Sequence, residues 1–517
     1  MKRIISLLLA VIMAASVAVS AGAASTASAS GKPIGVTKTI TAHFNMEREY
    51  QRTYQYSDHF FDGSAYQFNN DLARLSLALA GVAGRKEYFD PFFPQIGLQN
   101  VEYNKWMTSP SEQDSIGVSI GTKKLKDAKG DYTLIVAPIR GSSYHSEAGG
   151  DVNVGPSGEF RGFAIGRDKA LDFIQQYIQK HHITGRIKFW SAGYSRGASV
   201  ANLLGGTLDD AYAVSGQRGA STTNKSQPTK PLLGKGVTLS PDDIFIYTYE
   251  SPLAAVDTEV QDVKYDNIHN IVNPGDIVTA VLFREWGMAR YGVDHLTPTK
   301  SDPNYSQYKS AFLGAFQQDP NILYTTYWPD YFQAWHVDRL GNVPVRFSRK
   351  DRTAPQFFRD LGVALTNSFV TSRQDYADNL EGVLTSILDD FGRENQDANL
   401  QKAGGLFLQT VQTNWTALFG ALLQPDQTAT DLVLGWLLDS FKSANVTSYN
   451  LEETRAALNV LIPRLRTFAS KYPDEAATLL ANILNVVGGH FIGSTDSWLR
   501  TLPSDYYGSH TAYSYKS

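Results

Sequence analysis

Hydrophobic positions along the chain follow two different periods. Between Thr37 and about Leu296, short apolar runs alternate with segments of helical spacing, such as residues 166–182. Runs of this length and composition predict β-strands, and they occupy residues 116–120, 131–139, 186–193, 243–252 and 267–276. Strands that alternate with helices are typical of an α/β fold, so we predict a central, mostly parallel sheet flanked by helices.

From about Lys300 to His490 the apolar residues recur only at helical spacing. Residues 380–391 and 406–422 each carry one apolar face, as amphipathic helices do. We therefore predict a large all-helical insertion or cap over residues 300–490. The α/β core would then occupy residues 30–299 and be completed by residues 491–517.

The first residues have the composition of a secretory signal. Lys2 and Arg3 precede an apolar run from Ile4 to about Val19, and small residues follow, including Ala21-Gly22-Ala23. This order of a basic start, an apolar stretch and a small-residue cleavage site predicts a signal peptide over residues 1–29. We expect export from the cell, by a bacterium, after removal of this segment.

Composition excludes several classes of chemistry. The 517 residues include no cysteine, which rules out disulfides, thiolate zinc sites and a cysteine nucleophile. A formal net charge of -4 gives no basic excess to attract nucleic acid, so no nucleic-acid partner is expected.

Two segments fit the G-x-S-x-G pattern of a serine hydrolase. Gly193-Tyr194-Ser195-Arg196-Gly197 lies between a predicted strand and the helical pattern of residues 198–212. A nucleophilic serine needs this strand, turn and helix, because the turn projects its hydroxyl. Ser119, between Gly117 and Gly121, instead lies inside an alternating strand that leads into a second strand. Ser195 is therefore the predicted nucleophile.

A serine nucleophile requires a histidine base and a carboxylate that orients the histidine. In α/β hydrolases both follow the serine, with the acid first. Asp276 is the preferred acid because it follows a predicted strand at the sheet edge where ligands bind. Asp257 and Asp294 are alternatives that follow their strands less closely.

Five histidines follow Ser195, and the residues alone leave the base undecided. His269 precedes Asp276, while His336 and His490 fall in or at the edge of the helical region. His295 and His510 remain as equal candidates on this reasoning.

Several segments, in this order and spacing, are similar to the class 3 lipase, or fungal-lipase-like, family of α/β hydrolases. They are LIVAPIRGSSYHSE (134–147), GFAIGRDKALDFI (162–174), KFWSAGYSRGASVANLL (188–204), IYTYESP (246–252), NIVNPGDIVTAVL (270–282) and GSHTAYSY (508–515). The resemblance implies an α/β-hydrolase fold, with Ser195 as nucleophile, Asp276 as acid and His510 as base. It also implies an oxyanion hole formed by the backbone amides of Ser142, in the Arg-Gly-Ser turn, and Arg196.

The sequence departs from the family pattern at three places. Tyr194 and Arg196 replace the histidine and leucine that often flank the nucleophile, and Glu250 replaces a glycine. The segment between acid and base is also much longer than in compact members. These differences weaken the expectation of a simple triglyceride preference.

The resemblance implies a secreted serine hydrolase that cleaves carboxylic esters, of lipid type, through an acyl-enzyme intermediate. No cofactor or metal is expected, and the expected partners are an ester substrate and, transiently, a lipid interface. Two alternatives remain open at this point: an acyltransferase or thioesterase that uses the same residues, and a catalytically silent surface or binding protein with the hydrolase fold.

Overall fold

The computed structural model describes most of the two regions that the sequence distinguishes. The described residues are 36–45, 49–108, 114–142, 147, 149–219, 232–273, 276, 278–280, 286–298, 302–318, 373–374, 377, 398–447, 449, 451–471, 473–481 and 489–509. The predicted signal peptide, His336 and His510 lie outside them.

A seven-stranded sheet forms the centre of the molecule, with strand order β11-β9-β7-β6-β5-β4-β3. Two two-stranded sheets, β1-β2 and β8-β10, accompany it. The strands are β1 (Thr37–Asn45), β2 (Glu49–Ser57), β3 (Gln99–Tyr103), β4 (Ser119–Asp127), β5 (Gly130–Val136), β6 (Gly185–Tyr194), β7 (Val237–Tyr249), β8 (Ala255–Val256), β9 (Ile268–Val272), β10 (Met288–Ala289) and β11 (Val293–Leu296).

The α-helices connect these strands and follow them in the chain. They are α1 (Asn70–Val82), α2 (Lys86–Gln95), α3 (Arg161–Lys180), α4 (Arg196–Tyr212), α5 (Tyr305–Gln318), α6 (Ala398–Thr413), α7 (Trp415–Leu422), α8 (Thr428–Ser443), α9 (Leu451–Lys471), α10 (Pro473–Ala481), α11 (Ile492–Thr501) and α12 (Tyr506–Ser509).

Within the seven-stranded sheet, β5, β6, β7, β9 and β11 pair in parallel, whereas β3, β4 and β5 pair antiparallel. The prediction of a mixed, mostly parallel sheet is therefore confirmed, and the architecture fits an α/β-hydrolase-like fold. Strands β4 and β5 form the hairpin that the alternating pattern around Ser119 predicted.

Both faces of the sheet are covered, as the alternating side chains of β6 show. Ile187 and Phe189 pack in one cluster of buried residues, together with Val200 of α4. Trp190 and Ala192 point to the opposite cluster, which includes buried residues of α1. Trp190 donates a hydrogen bond from Nε1 to Ser76 Oγ of α1 at 2.8 Å. Burial on both faces fixes β6 in the middle of the fold, directly before Ser195.

The later helices pack on the core and on one another. Phe312 of α5 stacks on Trp498 of α11, with ring centroids 4.1 Å apart. Val411 and Leu434, from α6 and α8, belong to the same buried cluster as Val278 near the site. The division into a core and a helical insertion stays a prediction. Among the helices that the structure describes, none has the length and apolar composition needed to cross a membrane.

Candidate active site

Ser195 occupies a strained turn between β6 and α4. Its backbone has φ 56° and ψ -125°, in a region that non-glycine residues seldom adopt. A Cβ at Gly193 would lie 2.2 Å from the carbonyl oxygen of Gly197, and a Cβ at Gly197 would lie 2.4 Å from that of Ile139. Both glycines are thus required by close backbone approach. Strain that the surrounding packing maintains is typical of functional sites.

Ser195 and Asp276 meet the same histidine, which is His490. Ser195 Oγ lies 2.9 Å from His490 Nε2. His490 Nδ1 lies 2.8 Å from Asp276 Oδ2. Because a carboxylate can only accept, the imidazole donates from Nδ1, and Nε2 is left to accept from the serine hydroxyl. This geometry can move the serine proton to the imidazole during nucleophilic attack.

The loop after β9 fixes Asp276. The Asp276 amide donates to the Asn273 carbonyl at 2.9 Å, which closes a turn. The Val278 amide donates to Asp276 Oδ1 at 2.9 Å, so both carboxylate oxygens have partners. Asp276 is 1% exposed, and this low-dielectric setting strengthens its interaction with the imidazole.

His490 is held by its backbone as well as by its ring. The Tyr194 hydroxyl donates to the His490 carbonyl at 2.5 Å, and the two rings pack with centroids 5.1 Å apart. Asn273 Nδ2 donates to the Gly489 carbonyl at 3.0 Å. Helix α11 begins two residues after His490. The nucleophile turn and the acid loop therefore both hold the segment that carries the histidine.

The histidine in contact with Ser195 and Asp276 is His490, whereas the resemblance implied His510, which lies outside the described residues. His490 stands directly before α11, where the chain returns to the core, and not in the helical region to which its place in the sequence assigned it. The other candidate, His295, lies in β11, where its Nε2 is 3.0 Å from His269 Nδ1. Burial lowers the pKa of His295 well below its usual value, with His269 as a second cause.

The alternative acids and the alternative serine have other surroundings. Asp294 pairs with Arg290 at 2.8 Å. The Asp257 carbonyl accepts a hydrogen bond from Gln261 at 2.9 Å. Ser119 is buried in β4, as its strand pattern predicted. Of the candidates weighed from the sequence, only Ser195 and Asp276 share a histidine in the described structure.

The two residues predicted for the oxyanion hole share one carboxylate. Ser142 Oγ donates to Asp151 Oδ2 at 2.7 Å, and Arg196 Nη1 donates to Asp151 Oδ1 at 2.8 Å. A Cβ at Gly141 would lie 3.0 Å from the Tyr194 carbonyl, so this turn lies against the nucleophile turn. Burial raises the pKa of Asp151, although Arg196 and Ser142 act in the opposite direction.

Glu250 is a buried carboxyl that touches the acid of the site. It follows β7, is 0% exposed and has a φ of 52°. Its side chain contacts that of Asp276. Burial, and then the Asp276 charge, raise the pKa of Glu250 well above its usual value. The sequence identified Glu250 only as a departure from the family pattern, because its partners are distant in the chain.

Over the part of the chain that the structure describes, no group of three or more His, Asp or Glu side chains is arranged to hold a metal ion.

Comparison with known proteins gives distant structural similarities only. No protein-family model matches the chain, and no curated protein matches it. Similar solved structures include a Rhizomucor miehei lipase propeptide complex (13% identity, 45% of this chain and 67% of that chain, TM-score 0.27) and a lipase from Rhizopus microsporus var. chinensis (14%, 45% and 72%, 0.26). A third is a triacylglycerol lipase whose catalytic centre is a serine protease triad (15%, 36% and 63%, 0.24).

The chain spans less than two thirds of the length of that third structure. The sheet order and the geometry around Ser195 carry the functional interpretation instead.

Proposed function

We propose that this chain is a serine hydrolase of lipase type that cleaves carboxylic esters of lipid-like substrates. The observation that carries the proposal is the continuous contact from Ser195 Oγ through His490 to Asp276, at 2.9 and 2.8 Å. The strained turn that presents Ser195 supports it, since a hydroxyl at a sharp strand-to-helix turn is exposed to substrate.

Ser195 Oγ attacks the ester carbonyl while His490 Nε2 takes its proton. Asp276 keeps the imidazole in the tautomer with its proton on Nδ1 and stabilises the imidazolium that forms. His490 then gives the proton to the leaving alcohol. Water, activated by the same histidine, attacks the acyl-enzyme and releases the acid.

The developing oxyanion is bound by the backbone amides of Ser142 and Arg196. Arg196 is the first residue of α4, and the positive end of a helix dipole favours negative charge there. Asp151 supports this arrangement, because it fixes the side chains of both residues. A single oxyanion donor is typically worth about 3 to 4 kcal/mol of the barrier.

We infer that the protein acts outside the cell after loss of residues 1–29. We also infer that the predicted helical region of residues 300–490, apart from the segment of His490, forms a cap beside the site. In this arrangement the cap would contact the acyl chain of the substrate. Arg373 supports an anchoring role for the cap, because its guanidinium donates to the carbonyls of Val154 and Glu159, both at 2.9 Å, in the loop before α3.

A fluorophosphonate probe tests the proposed nucleophile. The wild type should be labelled, and Ser195→Ala should not be labelled. Ser119→Ala is the matched control, since Ser119 also lies between two glycines but is buried in β4. Labelling of Ser119→Ala should equal that of the wild type. A folded wild type that takes no label would favour the catalytically silent alternative.

Substrate class is tested with p-nitrophenyl esters of increasing chain length, alongside amide and thioester analogues. We expect esters to be cleaved at the highest kcat/KM. Faster cleavage of thioesters, or transfer of the acyl group to an added alcohol in preference to water, would contradict the hydrolase proposal and favour the thioesterase or acyltransferase alternative.

A further inference from the structure

The carboxyl of Glu250 lies next to Asp276, the acid of the active site. It meets the Asp276 side chain on one side. On another side, Thr495 Oγ1 of α11 donates to Glu250 Oε1. The Asn273 amide approaches Oε2 at 3.4 Å. A row of contacts thus runs from α11 through Glu250, Asp276 and His490 to Ser195.

The charges around Glu250 do not balance a second carboxylate. Facing it are Asp276, from the loop after β9, and Tyr507, from α12, whose pKa Glu250 helps to raise. Within the described residues, no ion pair involves Glu250, and the imidazole of His490 contacts Asp276. Two buried carboxyls in contact, without a cation beside both, cannot both be ionised.

Asp276 is the member of this pair that keeps the charge. It accepts hydrogen bonds from the Val278 amide and from His490 Nδ1, and hydrogen bonds of this kind favour the ionised form. Glu250 accepts mainly from a hydroxyl, that of Thr495. The shared proton therefore belongs on Glu250, from which it points at a carboxylate oxygen.

We propose that Glu250 is a positioning residue that keeps its proton and donates it as a hydrogen bond to Asp276, so that the carboxylate is fixed in place and its effect on His490 is moderated. This inference rests on the proposed function, since it assigns Glu250 a part in the same site. The raised pKa of Glu250, caused first by burial and then by Asp276, agrees with it.

The consequence for catalysis follows from simple electrostatics. A carboxylate that accepts an additional hydrogen bond has less electron density to offer the imidazolium. With Glu250 in place, the acidic limb of the kcat/KM profile should therefore lie at lower pH, so that activity extends over a wider range. Without Glu250, Asp276 would stabilise the imidazolium more strongly, and activity would begin at higher pH.

Two variants separate this role from packing. Glu250→Gly removes the carboxyl at a position whose φ of 52° suits glycine, so the backbone is not strained by the change. Glu250→Gln keeps the shape, donates an amide N–H to Asp276 and accepts from Thr495, but has no proton to lose. Each variant is compared with the wild type in the pH profile of kcat/KM for a p-nitrophenyl ester.

Glu250→Gly should lower kcat/KM at pH 7 by about 10-fold, which corresponds to one hydrogen bond to a charged group, and should move the acidic limb to higher pH. Glu250→Gln should recover most of this loss and return the limb to its wild-type position. If Glu250 were ionised, Glu250→Gln would remove a charge beside Asp276 and move the limb to lower pH. That result, or an unmoved limb in both variants, would overturn the proposal.

A second measurement does not depend on catalysis. Unfolding of the Ser195→Ala protein is followed from pH 4.5 to 8, with and without Glu250→Gln. Where folding raises the pKa of a carboxyl, the protein loses stability as pH rises above the pKa of that carboxyl in the unfolded chain, because the unfolded chain releases the proton more readily. As pH rises, the folding equilibrium constant of the protein with Glu250→Gln, divided by that of the protein with Glu250, should therefore increase by up to about tenfold for each pH unit. Parallel curves would refute a buried proton on Glu250, whereas absent fluorophosphonate labelling would refute the proposed function alone.

Discussion

Tyr194→Phe tests whether the residue before the nucleophile positions the histidine. The change removes the hydroxyl that donates to the His490 carbonyl at 2.5 Å and keeps the ring that packs on the imidazole. Tyr194 is 6% exposed, so water has little access to replace the lost donor. A buried carbonyl left without its donor costs about 1 to 3 kcal/mol.

That cost falls on the segment that carries His490. If the whole of this free energy is added to the activation barrier, kcat decreases by about 5- to 150-fold, since each 1.36 kcal/mol is tenfold in rate. The assay is kcat for a short p-nitrophenyl ester, together with the free energy of unfolding from urea titration. We expect both quantities to fall.

Tyr177→Phe is the matched control, because the Tyr177 hydroxyl of α3 donates to the Asn100 carbonyl at 2.8 Å. Tyr177 is as well buried as Tyr194, but its partner Asn100 lies in β3 rather than in the active site. Tyr177→Phe should lose similar stability and keep its kcat. Equal kcat in Tyr194→Phe and wild type, despite a comparable loss of stability, would show that the hydroxyl supports the fold and does not position the base.

Four further predictions follow from the same structure. His490→Ala should lower kcat by at least about 10³-fold, whereas His295→Ala should keep most activity; an inactive His295→Ala with an active His490→Ala would refute the assignment of the base. Asp151→Ala removes the carboxylate that Ser142 and Arg196 share, and kcat should fall about 10²-fold, as expected for one misplaced oxyanion donor; ester hydrolysis measures this, and unchanged kcat would separate Asp151 from catalysis. Gly197→Ala would place its Cβ 2.4 Å from the Ile139 carbonyl, and we expect loss of the folded state in thermal melts, while a normal melting temperature would show that the turn can adapt. Burial lowers the pKa of His269 to about 4, so the unfolded chain binds the extra proton between pH 6.5 and 4. His269 should therefore contribute a fall of about 3 kcal/mol in the free energy of unfolding as pH decreases through this range, in addition to that of His295, whose pKa burial also lowers. His269→Gln should show a weaker pH dependence in urea titrations, and an unchanged pH dependence would contradict this.

The parts of the site that lie close together in the sequence could be predicted from it. The G-x-S-x-G turn, the strand before it and the helix after it are adjacent, so local patterning could place Ser195 at a strand-to-helix turn and Ser119 inside a strand. Asp276 could be found for a similar reason, because it follows a buried strand directly. The parallel sheet followed from the alternation of strands and helices.

The parts that depend on distant contacts could not be predicted in this way. His490 lies 295 residues from Ser195, and both His490 and His510 satisfy the order of serine, acid and histidine. The one local signal was the pair of glycines before His490, at the point where the chain leaves the helical region. Tyr194 and Glu250 stood out only as departures, because their partners His490 and Thr495 are 296 and 245 residues away.

The long separation between Ser195 and His490 has a consequence for the life of the chain before folding is complete. A ribosome releases residues in order, and a domain folds as a unit. The segment with Ser195 is therefore synthesised well before the imidazole that contacts it, and residues of β6 share a buried cluster with α11, which follows that imidazole. A nascent or truncated chain that ends before residue 490 would lack the histidine proposed as the base, so under the proposed function it would be inactive until synthesis has passed that point.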